Sequence, residues 1–274
     1  MGNSVSRYRM PLLLWTRMQN LIPPRPRTTA KGGRPPIKHI KAIADGIFYK
    51  MRTGCQWNAI PRVFGASSTI HDYFQRWVGM GVFEKMWELA LNEYDELVGV
   101  AWRHQSIDAS IVKSPLGGKK NGFKSNRPRQ AGLQTVGARG RQGVPLSCEI
   151  SGANCHDSKT FGPTLKKRKY RRRRNRVRQC AHLHADKGYD SAEIRTIARR
   201  NGYIPNIAKR RRRDRIGRPV TKRDRYRWLV ESSHSWQNQF RGLKTRWEKK
   251  ALNYEAMLHV SFALIALRMA GVFG

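Results

Sequence analysis

The sequence predicts a mixed-sheet α/β domain preceded by a helical domain, and three observations carry that expectation. Up to residue 98, apolar residues recur every three to four positions, the period of a helix with one buried face. Beyond Gly99, short strand-like runs alternate with helical stretches, the pattern of strands and helices packed in layers. Lys and Arg outnumber Asp and Glu by 55 to 18, a net charge of +37, so the folded chain must carry dense positive charge on its surface.

Residues 1–36 read as an irregular basic arm, with Pro23, Pro24 and Pro26 followed by Lys31-Gly-Gly-Arg-Pro-Pro36. Residues 37–98 read as helical. Ile40, Ile43, Ala44, Ile47, Phe48 and Met51 form one apolar stripe, which Gly54 should end. A shorter element, Gln56 to Phe64, is interrupted by Pro61. Ser67 or Ser68 offers an N-cap for a third helix with Ile70, Tyr73, Phe74 and Trp77 on its apolar side. A fourth helix carries Phe83, Met86, Trp87, Ala90, Leu91 and Tyr94. The tight connection before the third helix is compatible with a helix-turn-helix, in which Thr69, His71, Asp72, Gln75 and Arg76 would face DNA. A plain helical bundle would use the same stripes, and periodicity leaves that choice open.

Residues 99–274 read as the second domain. Strands are expected near Arg103–Ile107, Leu146–Ile150, Cys180–Ala185 and Tyr203–Ile207, with helices at 158–168, 191–200, 225–241 and 253–270. The last helix is apolar but contains His259 and Arg268 and falls short of the roughly 20 residues of a membrane span, so it should be a buried core helix.

A chain so basic repels itself, and a polyanion relieves that repulsion. Membrane-binding basic patches are short and local, whereas here Arg and Lys run along the whole chain, with dense runs at Lys166–Arg178 and Lys209–Arg213. Nucleic acid is therefore the expected partner and a membrane is not. No secretory signal is legible at the N-terminus, so a cytoplasmic, nucleoid-associated protein is expected. The cysteines Cys55, Cys148, Cys155 and Cys180 have no paired spacing, and reduced thiols are expected rather than a disulfide framework or a zinc site.

Against this background the placement of the scarce acidic residues is informative. Asp108, in Ser106-Ile-Asp-Ala-Ser110, ends an expected strand, and Asp186, in His184-Ala-Asp-Lys-Gly-Tyr-Asp190, follows another. Glu231 lies on an expected helix. Carboxylates at strand ends can converge with one from a later helix, because sites in α/β sheets form beyond the strand ends. Cutting or joining a phosphodiester needs an activated oxygen nucleophile and a stabilised leaving oxygen, which two divalent cations held by carboxylates can provide. Each residue also has a structural reading: an Asp after a strand is often a cap or turn residue, and Glu231 can pair with Arg227 one turn earlier. Asp157 and Asp190 read as such cap residues.

At these residues the chain resembles the DDE-type bacterial insertion-sequence transposases of the insertion-sequence-five kind. The resemblance is carried by Gly32-Gly-Arg-Pro-Pro36, Arg52-Thr-Gly-Cys-Gln-Trp57, Ala59-Ile-Pro61 and Tyr73-Phe-Gln-Arg-Trp77, then by Ile107-Asp-Ala-Ser110, Gly143-Val-Pro-Leu146, Ser151-Gly-Ala-Asn154 and Leu183-His-Ala-Asp-Lys-Gly-Tyr-Asp190. Arg227-Trp-Leu-Val-Glu231, Trp236 and Phe240-Arg241 complete the series. It implies a ribonuclease-H-like catalytic domain behind a helical DNA-binding and assembly domain. It further implies a catalytic, metal-binding triad of Asp108, Asp186 and Glu231, with two Mg²⁺ ions for which Mn²⁺ can substitute. The partners implied are double-stranded DNA, both element ends and target, and a second copy of the chain. Arg34, Gln75, Arg76, Lys187, Arg227, Arg241 and Lys244 are the DNA-contacting candidates.

Two departures from the family pattern set further expectations. The segment Gln134-Thr-Val-Gly-Ala-Arg-Gly-Arg141 should form the strand beside Asp108, yet two glycines and two arginines make a poor central strand. A loosened floor under the site is therefore expected. Two turns after Glu231, where related chains carry Lys or Arg, stands Asn238, leaving Arg241 or Lys244 to substitute. Both departures keep open an alternative: a catalytically decayed relative that acts only by binding DNA.

Overall fold

The structure, a computed structural model, describes residues 8–24, 39–118, 120, 122–124, 127–167, 181–208 and 239–273. The elements run α1 Leu12–Gln19, α2 Ile40–Thr53, α3 Ser67–Gly79, α4 Val82–Leu97, β1 His104–Lys113, β2 Gly122–Lys124, β3 Arg127–Gly140, β4 Pro145–Gly152, α5 Asp157–Lys166, β5 Ala181–Ala185, α6 Ala192–Arg200, β6 Tyr203–Ile207, α7 Arg241–Lys244 and α8 Ala251–Met269.

The helical half follows the apolar stripes. Ile43, Ala44, Ile47, Phe48 and Met51 of α2 are buried, and Gly54 ends the helix in the left-handed conformation at φ 73°. The interrupted element is two short 3₁₀ turns, Trp57–Ala59 and Arg62–Phe64, on either side of Ile60 and Pro61. The expected serine cap of α3 is a correction: the N-cap residue is Ala66, with no side-chain cap. The irregular reading of residues 1–36 also fails in part. Leu12–Gln19 is a helix that buries Leu14 and Met18, and Arg17 forms an ion pair with Glu93 of α4. Its eight residues are too few for an apolar period to stand out in the sequence, and the packing against α4 holds it.

The sheet has the order β4-β3-β1-β5-β6, with β2 also on β3. β3 pairs antiparallel with both β1 and β4, whereas β1–β5 and β5–β6 are parallel. Three antiparallel strands extended by two parallel ones, with helices on both faces, make the ribonuclease-H-like mixed sheet that the resemblance implied. One face packs Ile107, Leu183 and Ala185 against Phe161, Leu165, Ile194 and Ala198 of α5 and α6. The other carries Leu146, Cys148 and Ile150 of β4 into a core shared with α1 to α4 and α8.

α8 is the expected buried helix: an unbroken run from Ala256 to Leu267 is buried. Trp87 of α4 stacks on His259 and packs against Phe262 of α8, and its Nε1 donates to the Pro145 carbonyl at 3.3 Å. At about 1.5–3 kcal/mol per buried large apolar side chain, this seam is a major source of stability joining helices to sheet.

The poor-strand expectation for Gln134–Arg141 is overturned: β3 is a long central strand. Its glycines sit where neighbours come close. A Cβ on Gly140 would lie 3.2 Å from Val144, and one on Gly137 would lie 3.4 Å from the Ser147 carbonyl. β1 also runs beyond Asp108 to Lys113, because β3 supplies partners along its whole length, so Asp108 lies within the strand and not at its end.

Candidate active site

Asp108 and Asp186 come together because β1 and β5 are parallel neighbours in register, Ser106 beside His184 and Ile107 beside Ala185. Asp108 and Asp186 are the next residues along each chain, just past that paired stretch on neighbouring strands, which in a sheet run about 4.8 Å apart. Asp186 keeps extended backbone at φ −65°, ψ 161° before the turn Lys187–Tyr189. Side chains alternate along a strand, so both carboxylates project from the face opposite buried Ile107 and Ala185. Asp108 is half-buried and Asp186 exposed. One Asp108 oxygen accepts from the Ala109 amide at 2.8 Å.

A third charged group on this face was missed. Arg139 of β3 lies opposite Ser106, two residues along from Gly137, which lies opposite Asp108. Its Nε is 3.8 Å from where a Gly137 side chain would begin, so the guanidinium leans over the glycine toward Asp108. The β3–β4 pairing shifts register between Ala138 and Arg139, whereas the β1–β3 pairing runs through unbroken. Arg139 is only 6% exposed, and its Nη1 has no hydrogen-bond partner among the described residues. Burial pushes its pKa down to about 10, an effect that the Asp108 charge partly offsets. The arginine that looked like a flaw in a strand was the available signal for it.

Toward the start of β1 and β5 the same face holds three histidines. His104 Nδ1 lies 3.2 Å from His184 Nε2, and the His104 ring stacks on His182 at 5.1 Å. Burial, then the neighbouring His184 and His182 and the charges of Arg103 and Arg141, hold the His104 imidazole below its usual range. No group of three His, Cys, Asp or Glu side chains among the described residues is arranged to hold a metal. The pair Asp108–Asp186 offers oxygen donors of the kind that hard divalent cations take.

Glu231, with Arg227 and Arg34, lies outside the described residues. Of the remaining DNA-contacting candidates, Lys187 is exposed next to Asp186, and Arg241 and Lys244 are exposed on α7. Gln75 and Arg76 are half-buried on α3, and Lys250 Nζ donates to Gln75 Oε1 at 3.1 Å. Of the α3 residues expected to face DNA, Asp72 alone is fully exposed. Asp190 does not cap α6: Ser191 does, its hydroxyl accepting from the Ile194 amide at 3.2 Å, and Asp190 instead pairs with Arg195 at 2.7 Å. His156, not Asp157, caps α5 by accepting from the Ser158 amide.

The comparisons with known proteins identify the family. Residues 13–87 match the model of a putative transposase of the IS4/5 family, and residues 103–266 match the transposase DDE domain. The chain is 35% identical over 130 residues to a putative transposase for insertion sequence element IS402 of Burkholderia cepacia, covering 45% of this chain and 57% of that protein. It is 28% identical over 112 residues to a 16.2 kDa IS402 protein of the same organism, covering 40% of this chain and 76% of the relative. Among solved structures, a pre-cleavage Mos1 transpososome aligns over 89% of this chain and 82% of its own, at 9% identity and a TM-score of 0.28, too low to carry any argument. The DDE-domain match spans more than half of the sequence, and the chain belongs to the DDE-domain transposases.

Proposed function

We propose that the chain cuts the terminal inverted repeats of a mobile DNA element and joins the freed 3′ ends to target DNA. The observation that carries this reading is the β1–β5 register, which brings Asp108 and Asp186 to neighbouring strands on the same face of the sheet. Together with Glu231 they would hold two Mg²⁺ ions, Mn²⁺ substituting, which when bound supply Lewis-acid charge to the attacking and leaving oxygens. Asp108 and Asp186 would fix the position of that charge, because they stand on or just beyond strands paired in the middle of the sheet. Lys187 next to Asp186, and Arg241 and Lys244 on α7, all exposed, would hold phosphates against it. Residues 37–98 would bind and assemble the element ends, with residues 1–36 as a basic arm. Two copies acting together on double-stranded DNA suit a reaction that cuts two ends, in a cytoplasmic, nucleoid-associated protein.

The alternative of a decayed, binding-only relative rested largely on a loosened floor under Asp108, and β3 is fully paired there. The test is nicking of a duplex bearing the element's end, in Mg²⁺ or Mn²⁺. Cleavage that is lost in Asp108→Ala while binding is kept supports the enzyme. Tight, end-specific binding with no cleavage in either metal supports the binding-only reading.

A further inference from the structure

A cavity of about 770 Å³ lies between the end of α2, the α3 face bearing His71 and Gln75, and the segment that leads into α8. Its floor is electrically closed. Glu248, 8% exposed, pairs with Lys50 at 2.8 Å and accepts from Trp57 Nε1 at 3.2 Å and Asn253 Nδ2 at 3.3 Å. Trp57 is thereby fixed. Lys50 Nζ sits 4.8 Å over its ring, and His71 and Phe74 pack against it at 4.8 and 5.0 Å. Trp247 also lines the cavity and is 49% exposed, an aromatic surface that core packing does not account for. Lys249 and Lys250 stand exposed at the rim.

Aromatic faces, a side-chain amide on Gln75 and cations at the rim call for a planar ring that carries an anion. The volume falls in the range of small-molecule sites, roughly 300–1,000 Å³, and admits a base with its sugar and phosphate. The position fits the active site as well. Thr245 bridges to Lys113 at the end of β1, and the Arg246 amide donates to the Lys113 carbonyl at 2.8 Å. Trp247 to Lys250 therefore leave the sheet five residues beyond Asp108, roughly 17 Å along the strand, a distance of a few nucleotides.

We propose that this cavity takes one unstacked nucleobase of a DNA strand held at Asp108 and Asp186, with Trp247 as stacking platform and Lys249 and Lys250 on the adjoining phosphate. The proposal rests on the reading of DNA as partner. Base–aromatic stacking is tolerant of sequence, so the site would grip any exposed base and not read its identity.

The test uses the full chain with single-stranded oligodeoxynucleotides that carry iodouracil, normal bases or abasic sites. Irradiation should cross-link the iodouracil strand to Trp57, His71 or Trp247. At raised salt, Trp247→Ala should weaken the base-bearing strand about tenfold and leave the abasic strand unchanged, while Trp247→Phe keeps most of the affinity. Trp247 is half-exposed, so the unfolding midpoint of both variants should match the parent. Cross-links confined to other residues, or equal losses for both strands in Trp247→Ala, overturn the proposal and leave the DNA reading standing. Protection of Trp247 by a free deoxynucleoside monophosphate as effective as by the strand overturns the assignment to a strand. A chain that binds no oligonucleotide or duplex at low salt overturns both readings.

Discussion

Arg139→Met is the most informative substitution in the sheet. The guanidinium is 6% exposed, has a buried N–H without a hydrogen-bond partner among the described residues, and has its pKa pushed down to about 10 by burial. That displacement corresponds to about 3 kcal/mol of disfavour for the charged form at neutral pH, net of the attraction to Asp108. The sign follows from the direction: a cation whose folded pKa is lowered destabilises the fold at every pH below about 10, and the penalty lifts only above it. Met fills the space without charge. Asp108 is only half-buried and also accepts from the Ala109 amide, so no fully buried carboxylate is stranded. The variant should gain about 1–3 kcal/mol, several degrees in thermal midpoint, at neutral pH, and less above pH 10. Nicking of an end-bearing duplex by the same protein should fall, because Asp108 loses its charged neighbour. A loss of several kcal/mol on substitution would refute this reasoning and make Arg139 a well-paired structural residue.

Three further outcomes follow from the packing. A side chain on Gly242 would begin 2.9 Å from the Met51 carbonyl oxygen, so Gly242→Ala should cost about 1–3 kcal/mol in denaturant unfolding. Lys50→Met leaves the buried Glu248 carboxylate without its cation and should cost about 3–5 kcal/mol, of which Glu248→Gln in the same chain restores a part. His104 is held below its usual range, so on acidification the unfolded chain takes its proton first. The unfolding midpoint should therefore drop as pH falls through and below about 6.5, and His104→Gln should flatten that dependence.

How much of this was legible depends on where the signal lives. The stripes of α2, α3 and α4 and the apolar run of α8 gave helices within a few residues, because burial on one or all faces leaves a period or a run. β6 was placed residue for residue, and Asp108 and Asp186 were singled out as a pair. Their adjacency, however, is a matter of β1–β5 register, which no local pattern encodes. β3 was misjudged for the same reason: Gly137 and Gly140 look like strand breakers until Ser147 and Val144 are seen to occupy the space that side chains would take. Arg139 reads as a surface charge in sequence, and only the pairing with β1 and β4 buries it. The cavity beside Trp57 joins residues nearly two hundred positions apart, beyond the reach of any local pattern.

The central claim is that Asp108 and Asp186, with Glu231, form one divalent-metal site. Fe²⁺ with ascorbate and peroxide cuts a polypeptide where the metal is bound, and the fragments map the site directly. Cuts should cluster around residues 108, 186 and 231, should be competed away by Mg²⁺, and should vanish together in Asp108→Asn. Cuts at residues remote from this pair, or cutting near 186 that persists unchanged in Asp108→Asn, would contradict the account.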